Sequence, residues 1–322
     1  MKTFLIFLIA LVILLSSCED FLEPNVYDRI SGSSFYLTDE DARAAITGLY
    51  SYFGNDVTNT DGTRLLMGEY GTDGFVQKDP DFNNLNWETD KGYPFHSAYF
   101  RAVPFVTSAG AVIANIEDMD FKNPELKTIL TGEARLARAI VAFDLLKWYG
   151  PTAIITDKKN LLLPDNNFKP SRPSNEEYTS FLESELLKSI EELPENNDQG
   201  HFNKNIAKMV LLKYYMHQKN WDGAATISSQ IIGKYELNNN YYDNWNINTE
   251  NSKELIWSIP RISNNSSFRN VLRMRSSYPV ISQVTQETTW GGTGMDKYRF
   301  DFRSTFHPND IRLDSIIDTF YY

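Results

Sequence analysis

The chain has 322 residues, of which 42% are hydrophobic and 14% aromatic, and it carries a formal net charge of -11 at pH 7. This acidic balance argues against nucleic-acid binding, because proteins that bind phosphates carry basic patches. A single cysteine excludes an intrachain disulfide and a cysteine-based metal site. The length allows one large domain or two, with ample material for a hydrophobic core.

The first 17 residues have the parts of a secretory signal. Lys2 precedes an apolar run over residues 4–15, which is shorter than the ~20 residues that span a bilayer. Leu-Ser-Ser-Cys at residues 15–18 then resembles the lipobox of bacterial lipoproteins, in which the cysteine becomes the acylated first residue. We therefore expect a signal peptide over 1–17 and lipidation of Cys18. The alternative is an ordinary cleaved signal that takes the thiol with it.

Two acidic residues, Glu19 and Asp20, follow the cysteine directly. In this position they resemble the export signal that sends Bacteroidetes lipoproteins to the cell surface. The alternative is a solvated acidic tether. We expect an outer-membrane protein that is held by its lipid anchor alone and faces the cell exterior, since several buried acyl chains keep a soluble body on a membrane.

Hydrophobic periodicity predicts helices over the first two thirds of the mature chain. Thr38 with Asp41 predicts a helix start close to a capping box. A second helix is predicted from Pro104, in its first turn, to Glu117. Asn123-Pro124 predicts the start of a third, long helix that ends at Gly150-Pro151.

Two further predicted elements suggest helices that stack in pairs. Ser174 with Glu177 caps a fourth helix, which Pro194 closes. Residues 205–219 and 221–233 predict a helical hairpin around Asn220, and such hairpins stack into a solenoid.

The hairpin partly fits the tetratricopeptide pattern. Leu211 and Tyr215 have the required spacing, and Ala224 falls where the second helix needs a small residue. Leu212 stands where the pattern has glycine. We expect Tyr215 and Ala224 to face each other across the two helices.

Three stretches have weak helix signals. Residues 54–98 are rich in glycine, aspartate and asparagine, and residues 238–254 hold an asparagine-rich run with three aromatic residues. From Leu255 onward the chain has short strand-like pieces such as 255–259. Loop insertions of this length in a helical solenoid are usually functional.

The order of these segments resembles the SusD/RagB family of Bacteroidetes outer-membrane lipoproteins. The longest similar piece is Gly-Glu-Ala-Arg-Leu-Ala-Arg-Ala-Ile-Val-Ala-Phe-Asp-Leu-Leu-Lys-Trp-Tyr-Gly at 132–150. It is similar to the family's long helix almost residue for residue. The other similar pieces are residues 18–24, 35–50, 172–174, 205–235 and 250–256.

The resemblance implies a mostly α fold, with tetratricopeptide-like helical hairpins (SusD-like) and long irregular loop insertions. It also implies a partner, a SusC-like TonB-dependent outer-membrane transporter. Family members capture oligosaccharides for nutrient uptake, or peptides in the RagB branch, and they bind without cleaving. The alternative from another class is a tetratricopeptide-like scaffold that binds only protein.

The resemblance covers residues 18–322, which we interpret as one SusD/RagB-like domain. Family members usually continue beyond the point that Tyr322 reaches. We therefore expect the C-terminal part of the family to be missing, and the alternative is a naturally short member.

Enzyme and metal motifs are weak in this sequence. The four histidines, His96, His201, His217 and His307, are scattered and form no zinc-binding pair. No Gly-x-Ser-x-Gly elbow presents a serine nucleophile. Glycoside hydrolysis requires two carboxylates a few ångströms apart. Four acidic residues of the first irregular stretch could supply such a pair, but any acidic loop could do the same; they are Asp73, Asp79, Asp81 and Glu88. We expect a binding protein without cofactor or metal.

Ligand contacts are expected in the irregular stretches. Aromatic rings would lie under apolar sugar faces, and polar side chains would hydrogen-bond the hydroxyls. The candidates are Asp73, Trp87 and Trp290, which are large or polar residues in non-helical insertions. The alternative for each is a structural role.

Overall fold

The computed structural model of the protein describes residues 35–58, 68, 72, 75–77, 95–163, 167–245, 247–249, 252–259, 296–298 and 302–312. In these ranges the helices are α1 (Asp39–Thr58), α2 (Phe95–Asp118), α3 (Pro124–Tyr149), α4 (Lys158–Leu162), α5 (Asn175–Glu192), α6 (Lys204–His217) and α7 (Trp221–Ser229). Short 3-10 turns cover Tyr241–Trp245, Ile247–Thr249 and Phe302–Thr305. The mostly α fold predicted from the sequence is therefore confirmed.

The described β-structure is one short antiparallel pair. Strand β1 (Phe75–Gln77) pairs with β2 (Asp296–Tyr298), and Phe75 lies opposite Tyr298. This pair joins two stretches of the chain that the sequence separates by more than two hundred residues.

The helices stack in antiparallel succession. Helix α3 packs against α1, α2 and α5, then α5 packs against α6 and α6 against α7. Lys127 at the start of α3 donates to the carbonyl of Met119 just beyond the end of α2, at 2.7 Å. Tyr178 at the start of α5 donates to the carbonyl of Ala142 near the end of α3, at 2.8 Å. Each chain reversal therefore adds one helix to a growing layer, as in tetratricopeptide-like solenoids.

Helix α3 is the centre of the fold. The side chain of Asn123 accepts hydrogen bonds from the backbone amides of Glu125 and Leu126, Pro124 occupies the first turn, and Gly150 ends the helix with a φ of 72°. Residues 130–139 are buried on every side of the helix, which is the property of a helix enclosed by others. The predicted bounds of this helix are confirmed.

Helix α5 begins as the sequence predicts. The hydroxyl of Ser174 accepts from the amide of Glu177 at 3.1 Å, and the Glu177 carboxylate accepts from the Ser174 amide at 2.7 Å. This reciprocal pair satisfies two amides that the helix would otherwise leave without partners. It also lowers the pKa of Glu177 below its usual value, because the carboxylate is the form that accepts these bonds.

The predicted start of α2 is wrong. The helix begins at Phe95, so Pro104 lies in its interior and not in its first turn. A proline there removes one helical hydrogen bond and costs ~3 kcal/mol, yet the helix continues because it packs against α1, α3 and α4. The buried stripe before the proline consists of Ala98 and Ala102, whose small side chains give little periodic signal.

The end of α1 and the strand-like piece at 255–259 also differ from expectation. Helix α1 continues to Thr58, into the stretch predicted to be irregular. Residues 255–259 form no strand. Their apolar side chains are used in packing, since the Trp257 ring contacts Phe53 and Phe202 and its indole N–H donates to the Gly200 carbonyl at 3.1 Å.

The hairpin is formed by α6 and α7, and its second helix is shorter than predicted. Ala224 is buried, with 7% of its surface exposed. The Tyr215 ring lies beside Gly223, the neighbour of Ala224, because a Cβ added at Gly223 would be 3.0 Å from Cδ2 of that ring. The contact between Tyr215 and Ala224 stays a prediction.

Among the described helices, one stretch of α2 is long and apolar enough to cross a bilayer. It runs over Ala98–Asp118, and half of its most apolar window is buried inside the protein. Length and composition alone are weak grounds for a membrane span, because the core helix of a soluble protein has the same properties.

Candidate functional site

The four site residues predicted from the sequence, Cys18, Asp73, Trp87 and Trp290, lie outside the described residues. Their roles therefore stay predictions. The described residues nevertheless contain an aromatic surface that suits a ligand, and two buried polar clusters elsewhere in the fold.

The surface is an aromatic patch where α2 begins and α3 ends, and we call it the aromatic end patch. Its members are His96, Tyr99, Phe100, Trp148 and Tyr149. The Tyr99 and Tyr149 rings meet edge to face, with centroids 5.1 Å apart. The His96 and Phe100 rings meet in the same way at 4.4 Å. The antiparallel course of α2 and α3 brings these two helix ends together.

The orientation of Phe100 follows from the helical repeat. Ala98 and Ala102 are buried on the inner face of α2, and a residue midway between them lies on the other side of the helix. Phe100 accordingly has 59% of its surface exposed, and Trp148 has 39%. The Phe100 ring is held by edge-to-face contacts with His96 and Tyr99, and Trp148 is the neighbour of Tyr149 in sequence. Exposed aromatic surface of this kind binds ligands or partners.

The first buried cluster is centred on Glu133 of α3. Its carboxylate accepts from the side-chain amide of Asn197 at 2.8 Å and lies 3.0 Å from Nδ1 of His201. The Glu133 side chain is 2% exposed, and this burial raises its pKa above the usual value, although His201 and Asn197 act in the opposite direction. The cluster fastens the loop after α5 to the central helix.

Tyr50 of α1 completes this cluster. Its hydroxyl oxygen accepts from the backbone amide of Phe202 at 2.6 Å. Burial raises the pKa of Tyr50 far above its usual range, and the negative charge of Glu133 raises it further. Phe53, Phe202 and Trp257 pack beside it, with ring centroids between 5.0 and 5.8 Å apart.

This cluster has only one carboxylate among the described groups that act on it. A glycosidase needs a pair of carboxylates, one to donate a proton and one to attack or activate water. The geometry therefore suits a structural connection between α1, α3 and the loop after α5.

The second buried cluster joins α3 to α5 through two arginines and two glutamates. Arg135 donates to Glu185 at 2.8 Å and to Glu192 at 2.9 Å. Arg138 donates to the carbonyl of Ile155 at 2.9 Å and lies over the ring of Phe181. Burial lowers the pKa of the Arg138 guanidinium, and the charge of Glu185 opposes that shift. Charges buried in this way are tolerable only when paired, so this cluster is part of the helix interface.

Within the described ranges, no group of three histidine, cysteine, aspartate or glutamate side chains could hold a metal ion. The aromatic end patch is the surface among the described residues that best combines exposed rings with polar groups.

Sequence reasoning did not single out the aromatic end patch. The sequence predicts an irregular stretch over 54–98, which contains His96, and it predicts no element for Tyr99 and Phe100. Trp148 and Tyr149 belong to the long-helix motif. The available signal was the position of Trp148 and Tyr149 in the last turn of a helix predicted to end at Gly150. Their meeting with α2 depends on a chain reversal that no local pattern specifies.

No family model matches the chain. The curated SusD-like protein P25 of Formosa agariphila is 25% identical over 362 residues, which cover 94% of this chain and 66% of that protein. The solved structure of a laminarin binding SusD-like protein superposes with a TM-score of 0.72 at 18% identity, over 87% of this chain and 66% of that one.

Another similar solved structure is surface glycan-binding protein A from Bacteroides thetaiotaomicron, with a TM-score of 0.70 at 17% identity. That match covers 87% of this chain and 63% of the other. The chain thus spans less than two thirds of the length of these proteins' chains, and over most of its own length it has the helical fold of the two solved structures. In sequence and in fold, the chain is therefore similar to SusD-like proteins.

Proposed function

We propose that this protein is a surface nutrient-binding lipoprotein that captures oligosaccharides and passes them to a SusC-like TonB-dependent transporter. The names of similar proteins support a carbohydrate ligand, since one is described as laminarin binding and another as surface glycan-binding. The acidic, single-cysteine composition is compatible with a secreted body that has no disulfide.

The observation that carries the proposal is the aromatic end patch. Phe100 and Trp148 expose a large part of their rings although they belong to helices whose other faces form the core. A sugar ring has an apolar face of C–H groups, which packs well on an aromatic ring. The ring nitrogens of His96 and the hydroxyl of Tyr99 would form hydrogen bonds with sugar hydroxyls.

The predicted contacts of Asp73, Trp87 and Trp290 belong to the same proposal. Trp87 precedes the aromatic end patch by only nine residues in sequence, so the same ligand could meet both. In this proposal the protein binds without cleaving, because the similar solved structures are described as laminarin binding and glycan-binding proteins.

Calorimetric titration against a panel of polysaccharides that includes laminarin would test the proposal. We expect Phe100→Ala, Trp148→Ala and Trp87→Ala each to weaken binding of the preferred glycan by roughly three- to tenfold, because aromatic contacts contribute ~0.5–1.5 kcal/mol. Circular dichroism should show an unchanged helical content, since Phe100 and Trp148 are exposed and Trp87 belongs to a stretch with a weak helix signal.

The matched control is Trp221→Ala, which removes an equally large and 61% exposed ring from α7. This variant should bind like the parent. Equal affinity of the parent and the Phe100, Trp148 and Trp87 variants would remove these residues from the site, and release of reducing sugar by the pure protein would contradict a binding role.

The transporter partnership needs its own experiment. Co-expression with a SusC-like transporter, followed by affinity purification of this protein in detergent, should recover both chains in a stable complex. Recovery of this protein alone, when both are present in the outer membrane, would contradict the partnership.

A further inference from the structure

The loop between α5 and α6 is closed at its base. The backbone amide of Lys204 donates to the carbonyl of Pro194 at 2.8 Å, so the two ends of residues 194–204 lie side by side. Within the loop, the side-chain amide of Asn197 donates to the carbonyl of Phe202 at 2.7 Å. A loop whose ends meet and whose own side chains hold it together is a compact unit. We call it the 194–204 loop.

Glu133 of α3 holds the middle of the 194–204 loop. Its carboxylate accepts from the side-chain amide of Asn197 at 2.8 Å and lies 3.0 Å from Nδ1 of His201. The Glu133 side chain is only 2% exposed, whereas 42% of the His201 side chain is exposed. The contact between the loop and the central helix therefore joins a buried carboxylate to an imidazole that exchanges protons directly with the solvent.

Among the described residues, His201 is the cation whose charge acts on Glu133. Tyr50 of α1, the other titratable side chain beside the carboxylate, stays neutral, because burial and the negative charge of Glu133 raise its pKa far above the usual range. Asp198, which follows Asn197 in the loop, is exposed. A buried carboxylate that loses its compensating cation is strongly destabilising. The charge of Glu133 therefore depends on the proton that His201 can hold.

Other cations of the neighbouring elements belong to separate ion pairs. These pairs are Arg43 with Glu40 on α1, Arg135 of α3 with Glu192 of α5, and Lys204 of α6 with Glu195. None of these cations acts on the Glu133 carboxylate, whose described polar partners lie in the 194–204 loop and on α1. In the described part of the chain, these cations therefore do not replace His201 when it is neutral.

Release of the 194–204 loop would also release Trp257. The carbonyl of Gly200 accepts from the indole N–H of Trp257 at 3.1 Å, and the Trp257 ring lies 5.0 Å from that of Phe202. Phe202 is fully buried, and its backbone amide donates to the hydroxyl oxygen of Tyr50 at 2.6 Å. The loop therefore connects α1 and α3 with the segment 252–259, which carries Trp257.

We propose that the Glu133–His201 pair is a pH-sensitive latch, which holds the 194–204 loop closed while the two side chains share one proton and lets it open when that proton is lost. With the proton, the pair has no net charge, whichever of the two side chains carries it. Without the proton, a buried carboxylate faces a neutral imidazole. Opening of the loop would bring that carboxylate into contact with water and relieve its desolvation.

The direction of the pH dependence follows from burial. Burial raises the pKa of Glu133, so the closed loop binds the shared proton more tightly than the open loop does. The closed state is therefore favoured below the pKa that the pair has in the closed loop, and it is lost as the pH rises through that value. The inference goes beyond the proposed glycan-binding function and does not depend on it.

Hydrogen exchange of the full chain, followed by mass spectrometry from about pH 6 to about pH 9, tests the latch. The reporters are peptides that contain the backbone amides of Phe202 and Lys204, which are hydrogen-bonded in the closed loop. Protection factors remove the intrinsic pH dependence of exchange. We expect the protection of these amides to fall by up to about tenfold per pH unit, the limit for the release of one proton. Peptides from α3 and α5 should lose less protection.

Three variants separate the charge of the pair from its shape. Glu133→Gln keeps the shape of the side chain without a charge, so the protection of its loop should not vary with pH. His201→Gln removes the cation and keeps a hydrogen-bond donor, so its loop should be about tenfold or more less protected at neutral pH, as after the loss of a charge-assisted hydrogen bond. The double variant, Glu133→Gln with His201→Gln, should recover the protection and lose the pH dependence. The matched control is His217→Gln, at an exposed position on α6, which should behave like the parent.

Constant protection of the 194–204 loop in the parent over this pH range would overturn the inference. It would also be overturned if Glu133→Gln kept the parental pH dependence, because another group would then be responsible. An equal loss of protection in the loop, α3 and α5 would show global unfolding instead of a local latch. These outcomes are independent of glycan binding, so the proposed function stands or fails by its own experiments.

Discussion

Gly132 is the residue where α3 and the end of α5 come closest. A Cβ at this position would lie 2.9 Å from the Glu192 Cβ and 3.3 Å from the Glu192 backbone. Distances under 3.0 Å cannot be kept without moving one of the helices, and the nearest atoms belong to the base of a side chain and to backbone, which cannot rotate away. The small residue is therefore required by packing, since α3 has ordinary helical geometry there.

Gly132→Ala should lower the free energy of unfolding by about 1 to 3 kcal/mol, as overpacking of a core does. Urea denaturation measures this change. The matched control is Gly48→Ala on α1, where no atom lies within 4 Å of the added Cβ. That variant should be as stable as the parent or up to ~1 kcal/mol more stable, because alanine is the better helix former. Equal effects at both positions would contradict the close approach.

Glu133 gives the fold a dependence on pH. Burial raises its pKa above the ordinary value of 4.5, so the folded chain holds this proton more tightly than the unfolded chain does. From pH 4.5 up to the raised pKa, the folded state binds more protons, and the free energy of unfolding contributed by this group falls as the pH rises.

Glu133→Gln removes that titration and should flatten the pH dependence of unfolding above pH 4.5. Denaturant titrations at a series of pH values measure the slope. Glu191→Gln, at an exposed position on α5, should leave the slope of the parent unchanged. A parental slope in Glu133→Gln would show that another group is responsible.

At the scale of the elements, each helix is defined by its ends and by the face that it buries. The caps at Asn123 and Ser174 are local and can be recognised from a few neighbouring residues. The start of α2 is set instead by packing against its neighbours. This explains why the sequence predicts that the helix begins at Pro104, nine residues after its actual start at Phe95. Helix α7 ends earlier than predicted because its apolar pattern continues into a turn, where Ile231 is still buried.

The hairpin of α6 and α7 can be tested through two adjacent alanines. Ala224 is buried at the helix interface and Ala225 is exposed. Ala224→Phe should lower the free energy of unfolding by about 1 to 3 kcal/mol, because a large ring overpacks the interface. Ala225→Phe should change it by less than about 0.5 kcal/mol. Thermal unfolding of the two variants checks this, and parental stability in Ala224→Phe would show that the helices do not pack through this residue.

At the scale of the whole molecule, the proposal combines a helical body with a lipid anchor at Cys18. The anchor would hold the ligand surfaces close to the membrane in which a transporter lies. Each buried CH₂ of an acyl chain contributes ~0.8 kcal/mol to membrane binding, so several acyl chains together would hold the protein on the membrane.

Replacing Cys18 by alanine should release the protein from the outer membrane or leave it unprocessed. Fractionation and incorporation of labelled fatty acid measure this outcome. Ser33→Ala, which lies beyond the lipobox, should fractionate like the parent. Lipidation at Cys18 would be contradicted if the Cys18→Ala protein still fractionated with the outer membrane and still incorporated labelled fatty acid.

The sequence by itself determined the mostly α fold and the long central helix. These follow from local signals, because a cap, a proline or a 3.6-residue stripe acts within a few turns. The same local signals do not predict the aromatic end patch, because Tyr99 and Tyr149, whose rings are in contact, are separated by 50 positions along the chain.

Only the antiparallel stacking of the helices brings such residues together. The stacking also decides which side chains face outward. Lysine is usually a surface residue, yet most of the surface of Lys208 is buried. Phenylalanine is usually a core residue, yet Phe100 is exposed. The preference of a side chain for water or for the interior is a statistical property, and the position of its neighbours in three dimensions overrides it.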